Sequence, residues 1–233
     1  MLALLDGDIL IYRSAAKMNK ESLESAMYDL DNRVCNILER LNTHEHVFYI
    51  SGSENFRYDV NTEYKANRKK TTDPVYREDL KIYALSKWNA QVVHGMEADD
   101  ALAIEQMRTD PTVDHPQTVI VTIDKDLNMV PGPHYNFVKD ILYSVSEREA
   151  TKFFWEQLLI GDAADNIKGI ERVGPVKAKA LLSGVSREDE MFEIVRSIYN
   201  DDARLLMNAR CLWMCRKEPD EWLKSKYGIE LST

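Results

Sequence analysis

Cysteine is scarce in this sequence, and its few cysteines argue against a disulfide framework and a zinc finger. Cys35, Cys211 and Cys215 cannot all pair with one another, and no group of Cys and His has zinc-finger spacing. Cys211 and Cys215 lie four residues apart in a helical pattern, which favours a shared buried face over a metal site. These features indicate a reduced, intracellular protein, which we expect in the cytoplasm.

Long apolar runs are also absent. No segment approaches the ~20 apolar residues that a membrane-spanning helix needs. The run over residues 1–5 is cut short by Asp6 and has no basic leader, which favours a core strand over a signal peptide. We therefore expect a soluble protein without membrane contact. Its 233 residues suit one large domain, or one domain with a small appendage.

Acidic residues are present in excess, and nine of them form four short clusters. The net charge is -9 at pH 7, which these nine acids account for in full. The clusters are Asp6 and Asp8; Glu97, Asp99 and Asp100; Asp124 and Asp126; and Asp162 and Asp165. Carboxylates this dense repel one another, and hard divalent cations such as Mg2+ or Mn2+ neutralise them with oxygen ligands. The pattern predicts a two-metal enzyme that acts on phosphate esters.

Apolar patterns place three of the clusters at the ends of strands. Strands are predicted over 2–5, 47–50, 91–94 and 118–123, and helices over 9–17, 22–41, 74–88 and 97–107. This alternation is typical of an α/β fold with a mainly parallel central sheet. Sites in such sheets form beyond the carboxyl ends of the strands, where Asp6, Glu97 and Asp124 fall.

The second part of the chain has a helical character. A strand pair is predicted over 135–138 and 141–145. Ser146 with Glu149 forms a capping-box pattern for a helix through residue 160, and Ser186 with Asp189 resembles another helix start. We expect a helical chain to about residue 227, packed directly on the sheet because no flexible linker intervenes.

Basic residues form two local patches, which suit nucleic acid beside an acidic metal site. Residues 57–87 contain eight Lys or Arg against five acids, and residues 166–187 contain five against one. A run such as Tyr64 to Lys70 is ordinarily a solvated charged segment. Beside a carboxylate site, however, Lys65 and Arg68 could grip a scissile phosphate and stabilise charge in the transition state.

Each motif also has an ordinary structural explanation. Glu97 to Asp100 could be a helix-capping cluster, and Asp124 to Asp126 a surface turn. Both clusters, like Asp6, follow predicted strands, and this shared position favours a metal site. The glycine-rich stretch 161–175 could be a helix hairpin, but that explains neither its aspartates nor the lysines that follow it. Its free backbone NH groups and those lysines suit phosphates.

Five segments, in the same order, resemble the 5′-nuclease superfamily, which includes flap endonucleases and the 5′-nuclease domain of bacterial DNA polymerase I. The likeness is greatest to the 5′ to 3′ exonucleases of tailed phages. It spans Leu4 to about Leu182. The segments are LLDGD, FRYDVNTEYKANRKK, GMEADDALA, VTIDKDL and GDAADNIKGIERVGPVKAKALL.

The resemblance implies a set of metal ligands and catalytic residues. Eight acids match the family's metal-binding positions: Asp6, Glu97, Asp99, Asp100, Asp124, Asp126, Asp162 and Asp165. Asp8 is a further candidate. Lys65 and Arg68 match catalytic basic residues at the base of a helical arch, through or under which a 5′ single strand passes. The implied cofactors are two divalent cations, Mg2+ or Mn2+, and members of the family can also bind K+ in the turn.

The resemblance also implies a nucleic-acid surface. Tyr12 matches an aromatic residue that stacks on the nucleotide beside the scissile phosphate, and residues 165–182 match a helix-three-turn-helix motif that grips duplex phosphates. The candidate nucleic-acid-binding residues are Tyr12, Lys69, Lys70, Lys168, Gly169, Gly174, Lys177 and Lys179.

The implied fold is a PIN-like core with a mainly parallel central sheet flanked by helices, over residues 1–145, with the arch at about 62–90. A helical region follows over 146–233, with the DNA-binding motif at about 160–184. The implied function is 5′ to 3′ exonuclease or flap endonuclease action on DNA with a free 5′ end or flap, or on RNA–DNA hybrids. We expect a monomer that acts in phage DNA replication, in the cytoplasm of a bacterial host.

One departure from the family pattern leaves alternatives open. Where family members usually carry another metal-binding Asp after the second strand, this chain has Ser51, Gly52 and Ser53. A catalytically weakened, structure-specific DNA-binding protein is therefore one alternative. A PIN-type ribonuclease with a similar acidic core is another.

Overall fold

A central sheet organises the protein. The computed structural model describes residues 1–19, 21–68, 73–108, 117–217, 220 and 226–227. The strands of the sheet are β1 (Leu2–Asp6), β2 (His46–Ser51), β3 (Gln91–Val93), β4 (Thr118–Val121), β5 (Gly132–Asn136) and β6 (Ile141–Val145). They lie in the order β3-β2-β1-β4-β5-β6. All neighbours are parallel except β6, which is antiparallel to β5.

Helices connect the strands and cover both faces of the sheet. They are α1 (Gly7–Lys17), α2 (Leu23–Arg40), α3 (Arg57–Val60), α4 (Arg77–Lys87), α5 (Ala98–Met107), α6 (Glu147–Ile160), α7 (Pro175–Leu181), α8 (Glu188–Tyr199) and α9 (Asp202–Leu212). A small antiparallel pair, β7 (Gly161–Asp162) and β8 (Ile167–Lys168), separates α6 from α7. Within the described residues, no helix is long and apolar enough to cross a membrane.

The alternation of side chains along β1 divides the core into two layers. Leu5 packs into a cluster with Leu30 of α2, whereas Leu4 packs into a cluster with Trp155 of α6. Successive side chains of a strand point to opposite faces, so each face of the sheet needs its own layer of helices. Because α6 contributes to the same core cluster as Leu4, the helical second part of the chain packs directly on the sheet, as predicted.

The predicted α/β fold with a mainly parallel sheet is confirmed, and so is the first predicted helix cap. Ser146 and Glu149 form a capping box at the start of α6. The cap predicted at Ser186 is wrong. The residue before α8 is Arg187, whose side chain makes no cap bond and instead pairs with Asp189 at 2.5 Å.

The prediction of helix to about residue 227 is wrong over 213–217, whereas residues 226–227 are helical and residues 218, 219 and 221–225 lie outside the described part of the chain. Residues 213–216 are not helical, because their backbone groups bond to side chains elsewhere in the protein; the carbonyl of Trp213 accepts from Arg57, for example. Cys211 is buried in α9 and Cys215 is half-buried beyond its end. The two cysteines therefore do not share a helix face.

Candidate active site

The parallel strands bring acids from separate segments to one edge of the sheet. Asp6 ends β1, Glu97 precedes α5, and Asp124 follows β4. Six of the eight predicted metal ligands line one cavity of about 110 Å3: Glu97, Asp99, Asp124, Asp126, Asp162 and Asp165. The other two, Asp6 and Asp100, are fully buried nearby. The convergence expected from the ends of the strands is therefore present in the fold.

Asp6 accepts hydrogen bonds from the residue after β4 and from α1. The Thr122 hydroxyl donates to Oδ2 of Asp6 at 2.7 Å, and the backbone NH of Ile9 donates to its Oδ1 at 3.1 Å. Burial raises the pKa of Asp6 to about 7 despite these bonds, and the neighbouring carboxylates of Asp8 and Asp124 add to the shift. The site therefore holds a carboxyl group whose charge is opposed by its surroundings.

Two further acids, Asp99 and Asp126, also have raised pKa values. Burial, followed by repulsion from Asp6 and Asp124, raises the pKa of Asp99 well above its ordinary value. Burial and the Asp124 charge raise the pKa of Asp126 to about 7. Oδ1 of Asp126 is buried and has no hydrogen-bond partner in the described part of the chain, although Nζ of Lys125 lies 3.9 Å from it. Buried, mutually repelling carboxylates are the environment that a bound cation relieves.

Lys65 and Arg68 form ion pairs with two of the acids. The ammonium group of Lys65 forms an ion pair with Glu97 and lies 3.7 Å from Oδ2 of Asp165. Nη2 of Arg68 pairs with Oδ1 of Asp165 at 2.5 Å. Lys65 has a φ of 56°, in the left-handed region, and its backbone NH donates to the carbonyl of Asp165 at 2.9 Å. Lys65 is therefore fixed beside the carboxylates by backbone and side-chain contacts, and Arg68 by its side chain.

Tyr64 joins two of the acids. Its hydroxyl lies 2.8 Å from Oδ2 of Asp165 and 3.2 Å from Oε2 of Glu97, and the residue is only 2% exposed. Burial and the nearby carboxylates raise the pKa of this phenol, so it stays a hydrogen-bond donor at neutral pH. Tyr64 thereby sets the spacing between an acid before α5 and one in the turn between β7 and β8.

Asp100 differs from the other acids because it pairs with a buried arginine. Nη1 and Nη2 of Arg57 donate to its two oxygens at 2.5 and 2.8 Å. Burial alone would raise the pKa of Asp100, but the guanidinium charge and the hydrogen bonds hold it below its ordinary value. Asp100 is therefore an ionised carboxylate with its own counter-ion.

These pairings explain why the acids do not form a ready-made ligand cage. Among the described residues, no three His, Cys, Asp or Glu side chains are arranged as a metal-ligand set. The oxygens of Glu97 and Asp165 are instead occupied by Lys65, Arg68 and the Tyr64 hydroxyl. A metal ion that bound to Glu97 or Asp165 would therefore compete with the side chains of Lys65 and Arg68 for the carboxylate oxygens.

The end of β2, where the family's additional acid was expected, carries a carboxylate from another segment. The backbone NH of Ser51 donates to Oδ2 of Asp8 at 3.0 Å, and the Ser51 hydroxyl accepts from the NH of Ala98 at 2.9 Å. Gly52 is tightly packed: a Cβ at this position would lie 2.5 Å from the carbonyl oxygen of Val93. The chain thus supplies negative charge at this strand end from α1.

The candidate nucleic-acid residues fall on two surfaces. Tyr12 on α1 is 52% exposed. Lys168 in β8 and the α7 residues Lys177 and Lys179 are exposed as well, with no ion pair to any residue in the described part of the chain. Lys69 and Lys70 lie outside the described residues.

The glycines of the turn have different surroundings. A Cβ at Gly169 would lie 2.4 Å from the carbonyl oxygen of Ile160, so only glycine fits there without a shift. Gly174 precedes Pro175, which begins α7 as predicted, and a Cβ there would meet nothing within 4 Å. Gly169 is therefore required by packing, and Gly174 leaves an open approach to the first turn of α7.

Sequence reasoning missed several residues that hold the site together. Arg57 and Tyr64 stood within a run that was assigned to nucleic acid, yet both are buried and bond to the acids. Thr122, Arg204 and Asn208 gave no signal, because their partners are distant in sequence.

Comparison with known families agrees with this geometry. Residues 1–156 match the family described as 5′-3′ exonuclease, N-terminal resolvase-like domain. The chain belongs to the 5′-3′ exonuclease family. Among relatives named 5′-3′ exonuclease, that of Mycoplasmopsis pulmonis is 28% identical over 211 residues, covering 83% of this chain and 70% of the relative. That of Buchnera aphidicola is 26% identical over 225 residues, covering 86% and 73%.

A solved structure shares the fold of this family member. The flap endonuclease of bacteriophage T5, crystallised with DNA and metal ions, superimposes with a TM-score of 0.71 at 17% sequence identity. The match covers 91% of this chain and 89% of the phage protein. The sheet with its flanking helices, and the helical second part, are therefore those of a known fold.

Proposed function

We propose that this chain is a metal-dependent 5′-nuclease, which hydrolyses phosphodiesters at free 5′ ends or 5′ flaps of duplex DNA or RNA–DNA hybrids. The observation that carries the proposal is the convergence of acids from separate segments on one cavity, in contact with Lys65 and Arg68. Family membership supports it. In this proposal residues 1–145 form the nuclease core, and residues 146–233 hold the duplex.

The donor set fits hard divalent cations. All of its acidic side chains offer oxygen, the preferred ligand of Mg2+ and Mn2+. A buried oxygen of Asp126 accepts no hydrogen bond from the described residues, and burial opposes the charge of Asp6 and Asp99. The residues that would hold the ions are Asp6, Glu97, Asp99, Asp124, Asp126, Asp162 and Asp165. When bound, such ions lower the pKa of a water nucleophile and stabilise the leaving oxygen.

The protein's own side chains would position and neutralise the substrate. Lys65 and Arg68 present two cations at the edge of the acidic cavity, where a scissile phosphate would meet them. The Tyr64 hydroxyl lies between Glu97 and Asp165 within hydrogen-bond distance of both, and its single proton bonds to either carboxylate. Tyr12 offers an exposed ring for stacking on a base.

The turn after β8 would hold duplex phosphates at a distance from the cavity. The first turn of α7 has free backbone NH groups, and Lys177 and Lys179 add positive charge without ion-pair partners in the described residues. A K+ ion in this turn is part of the proposal through the family resemblance alone. Cleavage rates in KCl and in LiCl at equal ionic strength test it.

Cleavage of a 5′-labelled flap duplex tests the main proposal. With Mg2+ or Mn2+ we expect short labelled products, and a bulky group on the 5′ end should prevent their release. Asp124→Asn should abolish cleavage and leave DNA binding intact or tighter, because it removes charge from the cavity and keeps the basic surface. Cleavage of single-stranded RNA but not of the flap would indicate a PIN-type ribonuclease. Tight flap binding without products would indicate an inactive binding protein.

A further inference from the structure

Arg57 and Asp100 form a fully buried ion pair beside the cavity. Arg57 is 1% exposed and Asp100 is 0% exposed. Besides Arg57, two backbone NH groups donate to Asp100: that of Cys215 to Oδ1 at 2.9 Å and that of Glu97 to Oδ2 at 3.1 Å. Four donors thus occupy the two oxygens. A metal ion could reach this carboxylate only by displacing a buried guanidinium, which would then be left unpaired.

The remaining donors of Arg57 grip the end of α9. Nε donates to the carbonyl of Cys211 at 2.8 Å, and Nη2 donates to the carbonyl of Trp213 at 2.7 Å. These carbonyls belong to the last turn of α9 and the residue after it. The pair therefore fastens the carboxyl end of α9 to the start of α5, where Glu97 and Asp99 lie.

Arg204 in the first turn of α9 and Asn208 near its middle bond to the end of β8 and to the residue after it. The guanidinium of Arg204 donates to the carbonyl of Lys168 at 3.1 Å and to that of Gly169. The side-chain amide of Asn208 donates to the carbonyl of Lys168 at 2.9 Å, and Asn208 is only 2% exposed. The helix α9 therefore bonds to the start of the proposed duplex-binding turn through Arg204 and Asn208, and its carboxyl end bonds to Arg57 beside the acidic cavity.

We propose that α9 is a strut that fixes the distance between the duplex-binding turn and the cavity, and so determines which phosphodiester is cut. Arg57 and Asp100 are positioning residues at its carboxyl end, Arg204 is one in its first turn, and Asn208 is one near its middle. Asp100 is then not a metal ligand. This inference rests on the proposed nuclease function. An 11-residue helix is about 16 Å long, so a loosened end would let the duplex shift relative to the cavity.

Two sets of variants test the strut. Arg57→Met combined with Asp100→Leu replaces the pair by apolar side chains and leaves no lone buried charge. Arg204→Met and Asn208→Leu remove the side-chain bonds to Lys168 and Gly169 and change no residue that lines the cavity. Asp29→Asn is the matched control, because Asp29 is a buried carboxylate paired with Lys17 and Arg33, away from the site. For each variant we measure the unfolding midpoint, bound Mn2+ by electron paramagnetic resonance, and product lengths from a 5′-labelled flap in single turnover.

The strut predicts a change in where cleavage occurs. The double variant should bind as many Mn2+ ions as wild type, cut about 10- to 100-fold more slowly, and spread its products over neighbouring positions, since small misplacements cost rates of this order. Arg204→Met and Asn208→Leu should also spread the products, with smaller reductions in rate. Asp29→Asn should lower the unfolding midpoint and keep the wild-type product length.

Several results would overturn the inference while the nuclease function stands. Loss of one Mn2+ ion from the double variant would make Asp100 a ligand. If the folded variants give products of unchanged length, the bonds of Arg57, Asp100, Arg204 and Asn208 stabilise the fold but do not determine the site of cleavage. If the double variant does not fold, the Arg204 and Asn208 variants decide the question alone. Failure of wild type to cut the flap would reject the proposed function instead.

Discussion

At the scale of single residues, the site is a set of charges that neutralise one another across segments. Lys65 forms an ion pair with the carboxylate of Glu97, and Arg68 forms one with the carboxylate of Asp165. The Lys65 side chain is mostly buried, whereas that of Arg68 is 56% exposed, so solvent screens the Arg68 pair more. The same two cations are the ones that we propose to meet the substrate phosphate. Each basic residue therefore has an acidic partner that it must leave when a phosphate arrives.

Lys65→Ala should slow single-turnover cleavage by about 10- to 1000-fold, the range expected when one electrostatic interaction with the transition state is removed. Substrate affinity should change much less. Because the variant also frees an oxygen of Glu97, the metal concentration for half-maximal rate should not rise. Lys87→Ala, at an exposed position that ends α4, is the control. A collapse of affinity with an unchanged chemical step would make Lys65 a docking residue only.

Ser53→Asp should lower the Mg2+ concentration for half-maximal rate about three- to tenfold, because it adds a carboxylate after β2, worth on the order of 1 kcal/mol at a partly exposed position. Ser53 is exposed and can accept the change. Wild type should need millimolar Mg2+ or prefer Mn2+, which is less demanding in geometry. Metal titrations on one flap substrate measure both expectations.

Ser53→Asn provides the uncharged control for that titration. Gly52→Asp is a poor alternative, because its Cβ would lie 2.5 Å from the carbonyl of Val93. If Ser53→Asp leaves the Mg2+ midpoint where it was, the carboxylate of Asp8, bonded to the NH of Ser51, already supplies the charge.

At the scale of elements, α7 is the clearest candidate for duplex contact. Lys177→Gln and Lys179→Gln should each weaken duplex binding and lower the log–log slope of affinity against salt by roughly 0.9 for every phosphate that the protein no longer neutralises. Metal binding should stay the same, since α7 contributes no residue to the acidic cavity. Lys139→Gln, exposed in the hairpin between β5 and β6, is the control. An unchanged salt slope would show that α7 faces away from the duplex.

The sequence predicted α2 and the start of α6 well, because apolar spacing defined the first and a capping box the second. The apolar spacing of α2 and the Ser146 capping box are local properties, readable within one helical turn. The failure after Leu212 has a different origin. The segment 213–216 contains no helix breaker, but tertiary partners from α3 and α5 take its backbone groups. Such competition is invisible to local propensity.

At the scale of the whole molecule, the acids could be predicted and their partners could not. Asp6 and Asp124 stood at strand ends, and parallel strands bring such ends together. The pairing of Arg57 with Asp100 joins residues 43 apart, and burial of an arginine is too rare to expect from sequence. The resemblance gave Asp100 a metal-binding role, whereas the four donors on its oxygens are the basis for our proposal of a positioning role.

Without metal, the stability of the protein should fall as pH rises from about 4 to about 7. The pKa values of Asp6 and Asp126 are about 7 in the folded protein against an ordinary 3.8, so the folded state binds more protons in this range than the unfolded state does. Asp126→Asn should raise the unfolding midpoint at pH 8 by roughly 2 to 8 °C, for a relief of about 1 to 2 kcal/mol.

Thermal unfolding from pH 4 to pH 8, with EDTA and with Mn2+, measures this dependence. Saturating Mn2+ should reverse the loss at pH 8, because bound ligand at 100 times its dissociation constant stabilises by about 2.7 kcal/mol. Asp29→Asn, whose carboxylate has its own cationic partners, should be destabilised by removal of these pairs and should not gain stability at pH 8. A metal-free midpoint that rises steadily from pH 4 to pH 7 would contradict the assignment.

The sheet order has a consequence for the synthesis of the protein on the ribosome. β1 lies at the centre and pairs with β4, so Leu2 cannot pair before Thr118 is made, and Asp6 cannot bond to Thr122 before that residue is made. Pairings this distant in sequence form slowly and late, after the intervening chain has been synthesised. The turn that carries Asp165 emerges later still. A nascent chain therefore has no assembled acidic cavity until most of it has left the ribosome. An incomplete chain of this protein should accordingly have no nuclease activity.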